Sequence, residues 1–421
     1  MYLLMNKDNP VASFSIEQKL IDIVRLEEVY SGLPIGCTEN TFSGWVERRH
    51  TVKHHKHLSD YLKRLNADNL QGFISLTHAI SINDTFWVKE DCDDTTWKDI
   101  SPYCNDFDET VQNLSFDGVG IPLSPLSSTS PEFSTEGTFL KCWKREDNGI
   151  YLYKRGTEGF SNSGLEPYSE MLASQVFVKM NAGIPYGILE YRGKIASKCK
   201  LFTNESVGFI PQGIYCTDIL SFDEMLSLYD KLGFGDAFRR MIVCDAITFN
   251  TDRHLGNFGF LFDTMSLDVI SMAPCFDYNL SLFPMEVNDE FANVNSFINR
   301  YTPSLGTEFV KTAKYTLTDN IISDLKNLNG FSYEYSGDSK FTKERVKYLT
   351  DLSNQQINHI LGTSSTYVYT SPSNTCVTNI YKYMLKYKLT EEEFYKDVPR
   401  LMAMFDIKNM SELEEKIATL L

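Results

Sequence analysis

One segment of the sequence limits the fold more than any other. The segment FNTDRHLGNFGFLFD, residues 249–263, places a polar cluster between two apolar runs. The preceding run, AFRRMIVCDAITFN, has the apolar spacing of a helix, and GFLFDTMSLDVI after the cluster reads as strand, turn and strand. APCFDYNLSL follows and carries a further acidic residue, Asp277. The chain is therefore expected to present a polar loop after a helix and Asp277 after a strand pair.

Asp252 and Asn257 are five positions apart in this loop, a spacing that suits phosphoryl transfer from ATP. That reaction needs a carboxylate to accept or orient the proton of the nucleophile, oxygen ligands for magnesium, and a cation on the phosphates. Protein kinases supply an Asp, an Asn five positions on, and a second metal-binding Asp on the next strand pair. Asp252, Asn257 and Asp277 have this order, although a D-x-x-x-x-N pattern by itself is common.

Composition sets the class of protein. A chain of 421 residues with 42% hydrophobic and 13% aromatic residues can bury two or three cores. Its formal net charge of -16 argues against binding nucleic acid over a broad surface, and against an anionic membrane surface as its platform. The nine cysteines have no metal-ligand spacing, which favours a reduced, cytoplasmic protein.

The sequence shows no sign of export or of membrane insertion. The N-terminus MYLLMNKDNPVASF lacks a basic region followed by a sustained apolar core. Nowhere do roughly 18 uncharged apolar residues run together. We expect a cytoplasmic protein without a classical export signal, and a secreted effector remains an alternative.

Changes in pattern predict three domains and an α+β fold. Residues 1–125 are expected to form a mixed accessory domain, with VASFSI as a strand and IEQKLIDIVRLEEVY and LSDYLKRLN as helices. LSPLSSTSPEFS, residues 123–134, reads as a boundary or flexible loop. Residues 126–221 form a small β-rich lobe, and residues 222–421 are mostly helical. The helical part includes TNIYKYMLKY and capping-box starts at Thr390 and Ser411.

The small lobe is expected to begin with a hairpin and a helix. TFLKCWKREDNGIYLYKRG reads as two strands around the turn EDNG, with Lys154 on the second strand. EPYSEMLASQVFVKMN has apolar residues at helical spacing, with Pro167 in the first turn. KCKLF and SVGFI return to strand patterns.

The loop NTDRHLGNFG followed by APCFDYNLSL resembles the HipA-like kinase family, whose usual form is Asp-x-His-x-x-Asn and then Pro-x-x-Asp. The resemblance implies a bilobal protein-kinase-like fold and Mg-ATP as phosphoryl donor. It implies Asp252 as the catalytic carboxylate, Asn257 and Asp277 as magnesium ligands, and His254 as the loop histidine, which acts as a structural brace. It covers residues 130–284 best.

The resemblance also assigns the phosphate contacts. Lys154 matches the lysine on the nucleotide phosphates, and Glu170 is the candidate to hold it by an ion pair, with Glu166 as a rival. The phosphate-covering loop would be SPEFSTEGT. Its candidate nucleotide-binding residues are Ser134, Thr135, Glu136, Gly137 and Thr138.

This loop departs from the family pattern. Phe133 and Gly137 stand where the family has Gly and Lys, which puts phosphate contact through that lysine in doubt. The family's self-phosphorylated serine would fall on Ser130.

Alternative functions remain open at this point. The kinase fold could serve as a nucleotide-binding pseudokinase or interaction module. It could also transfer AMP, or phosphorylate a small molecule or lipid, rather than a Ser or Thr of a protein. Some HipA-like kinases are toxins held by a DNA-binding antitoxin, so an antitoxin or other regulatory protein is an expected partner alongside the protein substrate. The sequence shows no DNA-binding motif.

Two other features have simpler explanations than a site. The run ERRHTVKHHKHL, residues 47–58, holds four of the seven histidines. A solvated basic helix or loop is the usual meaning of such a run, with a metal site, or docking of an acidic partner or nucleic acid, as alternatives. Cys275 lies beside Asp277, and a small buried hydrophobic residue explains it better than a redox switch.

Overall fold

The computed structural model describes most of the chain up to Gly362. The described residues are 1–17, 22–50, 56–65, 67–118, 129–135, 137, 139–159, 163–218, 220–287, 291 and 298–362. The helices expected from TNIYKYMLKY, Thr390 and Ser411 lie outside them. In the described part, no helix combines the length and apolarity needed to cross a bilayer.

The fold is α+β and divides into two compact units. The first contains Met1–Pro167, Pro185–Thr217 and Gly259–Pro274. The second contains Tyr168–Ile184, Asp218–Phe258 and Cys275–Leu421. The three-domain division at residues 125 and 221 stays a prediction.

An N-terminal sheet opens the first unit. Its four antiparallel strands have the order β3-β2-β1-β4. The strands are β1 (Tyr2–Asn6), β2 (Asn9–Glu17), β3 (Ile23–Val29) and β4 (Phe86–Glu90). The helices that accompany it along the chain are α1 (Phe42–Arg49), α2 (Lys56–Arg64), α3 (Leu70–Thr77), α4 (Trp97–Ile100) and α5 (Glu109–Asp117). Phe14, Phe42 and Phe73 belong to its buried core.

The helix expected over IEQKLIDIVRLEEVY is wrong. Its first residues end β2 and its later ones form β3, and the two strands pair antiparallel, with Phe14 opposite Leu26 and Ile16 opposite Val24. Within β3, Val24 is buried whereas Ile23 and Arg25 are exposed, which is the two-residue alternation of a strand. Cross-strand pairing and the β-branched residues outweigh an apolar spacing that also fits a helix.

A second sheet of the first unit carries the predicted hairpin. Its antiparallel order is β5-β6-β8-β7. The strands are β5 (Lys141–Glu146), β6 (Gly149–Arg155), β7 (Tyr186–Tyr191) and β8 (Lys194–Lys200). The hairpin and the position of Lys154 on β6 are confirmed. Gly149 follows the two-residue turn with φ of 144°, a conformation that glycine adopts readily.

The third sheet is also in the first unit and has the order β11-β10-β9. Its strands are β9 (Val207–Pro211), β10 (Gly259–Asp263) and β11 (Val269–Met272), and the short helix α7 (Gln212–Tyr215) follows β9. The strand–turn–strand predicted after the polar loop is thus confirmed. Helix α6 (Glu166–Lys179) begins at the end of the first unit and continues in the second, with Pro167 in its first turn as expected.

The second unit is helical in its described part. Its helices after α6 are α8 (Phe222–Lys231), α9 (Gly235–Thr248), α10 (Phe309–Tyr315), α11 (Asp319–Leu328) and α12 (Lys343–Leu361). The C-terminal half of α9 is buried, and α12 contacts it through Ser353 and Gln356, which donate to the carbonyls of Ile247 and Ala246. This central helix ends where the candidate catalytic loop begins.

Candidate active site

The end of helix α9 sets the path of the polar loop. Phe249 adopts a left-handed conformation with φ of 51°, which ends the helix. The centroid of its aromatic ring lies 4.8 Å from that of Phe283. The next residue, Asn250, donates from its side chain to Asp245 at 2.7 Å and accepts the amide of Asp252 at 3.1 Å. Asp245 on the helix therefore fixes the start of the loop.

Arg253 makes a set of hydrogen bonds that organises the loop, and this set is called the Arg253 centre. Its guanidinium donates to both oxygens of Asp245, at 2.9 and 3.0 Å. It also donates to the backbone carbonyl of Asn257 at 2.9 Å and to that of Phe276 at 2.8 Å. One buried side chain thus holds helix α9, Asn257 and the segment that carries Asp277 together.

The Arg253–Asp245 pair is buried, with residue exposures of 1% and 4%. Burial raises the pKa of the Asp245 carboxyl group, and the charge of Arg253 opposes that rise. Burial alone would lower the pKa of Arg253, but the charge of Asp245 holds it above the ordinary value. The guanidinium therefore stays protonated, and the pair depends on both partners because neither charge has water around it.

Asp252, His254 and Asn257 are the candidate site residues of the loop. Asp252 is half-buried, and Asn257 donates from its side-chain amide to the Asp252 carbonyl at 2.9 Å. This bond leaves the amide oxygen of Asn257 as the atom that could bind a cation. The ring of His254 accepts the Gly256 amide at its Nδ1 at 3.1 Å, which agrees with a bracing role in the turn.

Asp277 follows a tightly held segment. It is half-buried and has φ of 56°, a left-handed conformation that is uncommon for residues with a side chain. Backbone hydrogen bonds join Cys275 to Ala182 and Ile184, and the Tyr278 hydroxyl donates to the Cys275 carbonyl. These bonds on both sides hold the strained residue in place.

Cys275 itself is inert in this setting. It is 1% exposed, and burial raises the pKa of its thiol to about 12. The thiolate, which is the reactive form, is therefore scarce at neutral pH. This agrees with its interpretation as a small buried hydrophobic residue.

The donor set fits magnesium better than a softer metal. Asp252, Asn257 and Asp277 offer carboxylate and amide oxygens, which are hard ligands of the kind Mg²⁺ prefers. Asn279, 2% exposed and two residues past Asp277, has a buried side-chain oxygen that finds no hydrogen-bond partner among the described residues. The described residues contain no group of three or more His, Cys, Asp or Glu able to hold a metal ion, so a site built on these residues would need the Asn oxygen and other ligands.

The first unit contains the candidate phosphate-binding residues. Lys154 on β6 is 5% exposed, and its ammonium group lies 5.0 Å from the centroid of the Phe139 ring. Directly opposite it on β5 is Lys141, 8% exposed, so that both lysines are on one face of the sheet. The phosphate contact of Lys154 stays a prediction, and the sequence patterns assign no role to Lys141.

The loop before β5 is hydrogen-bonded to that strand. Residues Pro131–Ser134 form a buried 3-10 turn, so the described part of the expected flexible loop is ordered structure. Glu132 accepts the Trp143 backbone amide at 2.9 Å, and Thr135 accepts the Trp143 indole N–H at 2.8 Å. Phe133 is 1% exposed and belongs to the core of the N-terminal sheet, which explains an aromatic residue at the family's glycine position.

Two of the remaining loop residues are bonded within the turn. The hydroxyls of Ser134 and Thr135 donate to the Pro131 carbonyl at 3.2 and 2.8 Å, so any phosphate contact from these two residues would compete with bonds of the turn. Gly137 has φ of 97°. Glu136 and Thr138 lie outside the described residues. The nucleotide contacts of this loop stay a prediction.

Ser130 is fully buried, and its hydroxyl accepts the Asp108 backbone amide at 3.0 Å. A phosphoryl acceptor must be reached by the donor. Self-phosphorylation at Ser130 therefore requires the loop to open first.

The two candidate acidic partners of Lys154 are both 1% exposed. Glu166 accepts the Thr157 hydroxyl at 2.5 Å, so its carboxylate is engaged with the chain just after β6. Glu170 lies one turn further along α6. Its ion pair with Lys154 stays a prediction.

The histidine-rich run is only partly described. His50 is buried and packs with its ring centroid 4.6 Å from that of Phe73, so a solvated role is wrong at this position. His54 and His55 lie outside the described residues.

Glu132 makes the stability of the first unit depend on pH. Burial raises the pKa of its carboxyl group from 4.5 to about 7, and one of its oxygens has no hydrogen-bond partner in the described structure. Between these two values the native state binds more protons than the unfolded state, so stability falls as pH rises through the window. Glu132→Gln should therefore stabilise the protein by roughly 2–3 kcal/mol at pH 8 and change little at pH 5.

Urea unfolding of both proteins at the two pH values measures this difference, and pH 5 serves as the internal control. Gln can still accept the Trp143 amide, so the hydrogen bond is retained. An equal effect of the substitution at both pH values would contradict a raised carboxyl pKa.

Comparisons with known proteins find similarity to solved structures. No protein-family model matches the chain, and no curated protein does. The chain is similar to the Helicobacter pylori proinflammatory kinase CtkA, with 17% identity and a TM-score of 0.40 over 52% of this chain and 92% of that one. It is also similar to a chain of the Shewanella oneidensis MR-1 toxin–antitoxin complex of HipA, HipB and operator DNA, with 13% identity and a TM-score of 0.48 over 86% and 98%. A kinase and a HipA complex are thus among the solved structures to which the chain is similar.

Proposed function

We propose that the protein is a Mg-ATP-dependent HipA-like kinase that transfers the γ-phosphoryl group to a Ser or Thr of a protein. The observation that carries the proposal is the Arg253 centre, which ties the loop of Asp252 and Asn257 to the segment of Asp277. The two segments that carry these residues in kinase order are joined by one buried cation, through the backbone carbonyls of Asn257 and Phe276. A cluster that served stability alone would not need the half-buried carboxylates at its edge.

In this proposal each residue has one role. Asp252 orients the acceptor hydroxyl and takes its proton as the oxygen bonds to the γ-phosphorus and the bond to the β-phosphate oxygen breaks, releasing ADP. Asn257 and Asp277 would hold magnesium, which neutralises charge on the phosphates when bound. Lys154 binds the phosphates, Glu170 orients Lys154, and His254 braces the loop.

The proposal includes the protein-kinase-like bilobal fold. Residues 126–221 would be the small lobe and residues 222–421 the helical lobe, after an accessory domain of residues 1–125. A protein substrate and an antitoxin or other regulatory protein are the proposed partners. The proposal includes autophosphorylation of Ser130, which requires its loop to open.

The second candidate is a nucleotide-binding pseudokinase or interaction module. Retention of Asp252, Asn257, Asp277 and Lys154 disfavours it, because a binding module has no need of the catalytic carboxylate. Transfer of AMP, or phosphorylation of a small molecule or lipid, would use much of the same residue set. The identity of the product distinguishes these reactions from phosphorylation of a protein.

Two measurements on the wild-type protein test the proposal. Intact-mass spectrometry after incubation with Mg-ATP should show a mass increase of one phosphate on the protein itself or on an added proteome-derived acceptor, whereas an adenylyl increase would identify AMP transfer. Mg-ATP should also raise the melting temperature, as ligand linkage requires. Absence of both effects would reject the kinase site, and stabilisation without transfer would favour the pseudokinase.

A further inference from the structure

The segment of residues 277–283 has an uncommon backbone at both of its ends. Asp277, Leu282 and Phe283 have φ of 56°, 55° and 56°, in the left-handed region that residues with a side chain seldom adopt. Such residues keep this conformation only where the surrounding structure imposes it. The position of the Asp277 carboxylate therefore depends on the contacts that hold this segment.

Helix α6 holds the far end of the segment through Ser169. The Ser169 hydroxyl donates to the backbone carbonyl of Ser281 at 2.6 Å, and both residues are fully buried. The next residue, Leu282, donates its amide to the Thr248 carbonyl at 2.8 Å, at the end of helix α9. Two helices therefore fix the backbone at the point where it turns left-handed.

The near end of the segment contacts the same part of the chain. The ring centroids of Tyr278 and Phe177 on α6 lie 4.4 Å apart. The Cys275 amide donates to the carbonyl of Ala182, just past the helix, at 2.9 Å. Asp277 thus lies between two attachments to α6 and the residues that follow it, and Ser169 provides the attachment on the far side.

The bond of Ser169 differs from that of another buried serine on the helix. Ser174 is 2% exposed, and its hydroxyl donates to the carbonyl of Met171 within α6 at 2.8 Å. A serine in a helix can commonly bond to its own helix in this way. The Ser169 hydroxyl instead bonds to a segment more than one hundred positions away in the chain.

We propose that Ser169 is a positioning residue for the metal-binding Asp277. Its bond to the Ser281 carbonyl keeps the 277–283 segment in the conformation in which the Asp277 carboxylate binds Mg²⁺ together with Asn257. The inference rests on the proposed function, because it takes Asp277 as a magnesium ligand. It adds to that function the residue that holds this ligand in place.

Hydrogen exchange in the nucleotide-free protein tests the hold on the segment. Ser169→Ala removes the donor to the Ser281 carbonyl, so the amides of residues 275–283 should exchange about fivefold faster or more than in the wild type. Ser174→Ala is the matched control and should leave exchange of this peptide unchanged. Exchange at the wild-type rate in Ser169→Ala would overturn the proposal.

The affinity for a cation tests the effect on the site. Mn²⁺ takes the oxygen ligands that suit Mg²⁺. Its binding to the protein in the presence of ADP is followed by electron paramagnetic resonance, against a sample of ADP without protein. Ser169→Ala should weaken Mn²⁺ binding about tenfold, and Ser174→Ala should bind as the wild type does. An equal loss in both variants would contradict a role specific to Ser169, since it would follow from helix packing alone.

Ser169→Cys covers the case in which Ser169→Ala does not fold. A thiol fills a similar volume and donates only weakly, so this variant should change exchange and Mn²⁺ affinity in the same direction. If the wild type binds Mn²⁺ and the Ser169 variants bind it equally well, this inference fails and the proposed function stands. A wild type that binds no Mn²⁺ with ADP would overturn the proposed metal site and this inference with it.

Discussion

Replacing Asp252 by Asn is expected to lower phosphoryl transfer about 10³-fold, since removal of a positioned proton acceptor typically costs 10²–10⁴ in rate. The substitution should leave the fold intact. Its backbone amide donates to the Asn250 side chain and its backbone carbonyl accepts from the Asn257 side chain, so neither bond uses the carboxylate. Asn has the same shape as Asp and keeps both bonds, so the change isolates the carboxylate.

The rate is measured by mass spectrometry or by phosphate transfer from labelled ATP, and nucleotide binding by thermal shift. Asp268→Asn is the control, because Asp268 is exposed in the turn between β10 and β11. Asp252→Asn should bind Mg-ATP while transferring almost nothing. Transfer at the wild-type rate would remove Asp252 from the chemistry and with it the proposed mechanism.

The elements that carry the proposed site were predictable where local pattern and local structure agree. The hairpin with Lys154, helix α6 and helix α9 each depend on apolar spacing and turn residues within a short stretch, and each is confirmed. Strand β3 was mistaken for helix because its apolar spacing fits either form. Its pairing with β2 is a contact that no local window contains.

The residues that organise the site were harder to predict. Arg253 contacts the carbonyl of Phe276, 23 positions further along the chain, so this bond depends on how distant segments pack. The Asp245–Arg253 pair left a signal in the sequence, because a carboxylate in the middle of the apolar run MIVCDAI needs a buried partner. The sequence indicates that such a partner exists but does not identify it among the nearby cations.

Arg253→Met is expected to destabilise the protein by about 3–5 kcal/mol, the cost of removing one member of a buried ion pair. The substitution would leave the Asp245 carboxylate without its cation and the carbonyls of Asn257 and Phe276 without a donor. Because these carbonyls belong to the catalytic loop and to the segment before Asp277, activity should fall further than the loss of folded protein explains. Urea unfolding and the specific rate of the folded fraction measure the two effects.

A more exposed ion pair between helices α8 and α9 provides the control. Arg239 forms an ion pair with Asp230 in which the arginine side chain is 19% and the aspartate 48% exposed, and Arg239→Met should cost less than about 1 kcal/mol. Combining Arg253→Met with Asp245→Leu removes both buried charges and should recover much of the stability, since an apolar pair needs no compensation. It should not recover activity, because neither side chain can donate to the two carbonyls. A double variant that is stable and also active would show that Arg253 serves only to neutralise Asp245, whereas a stable, inactive one would separate its bonds to the catalytic loop from its contribution to folding.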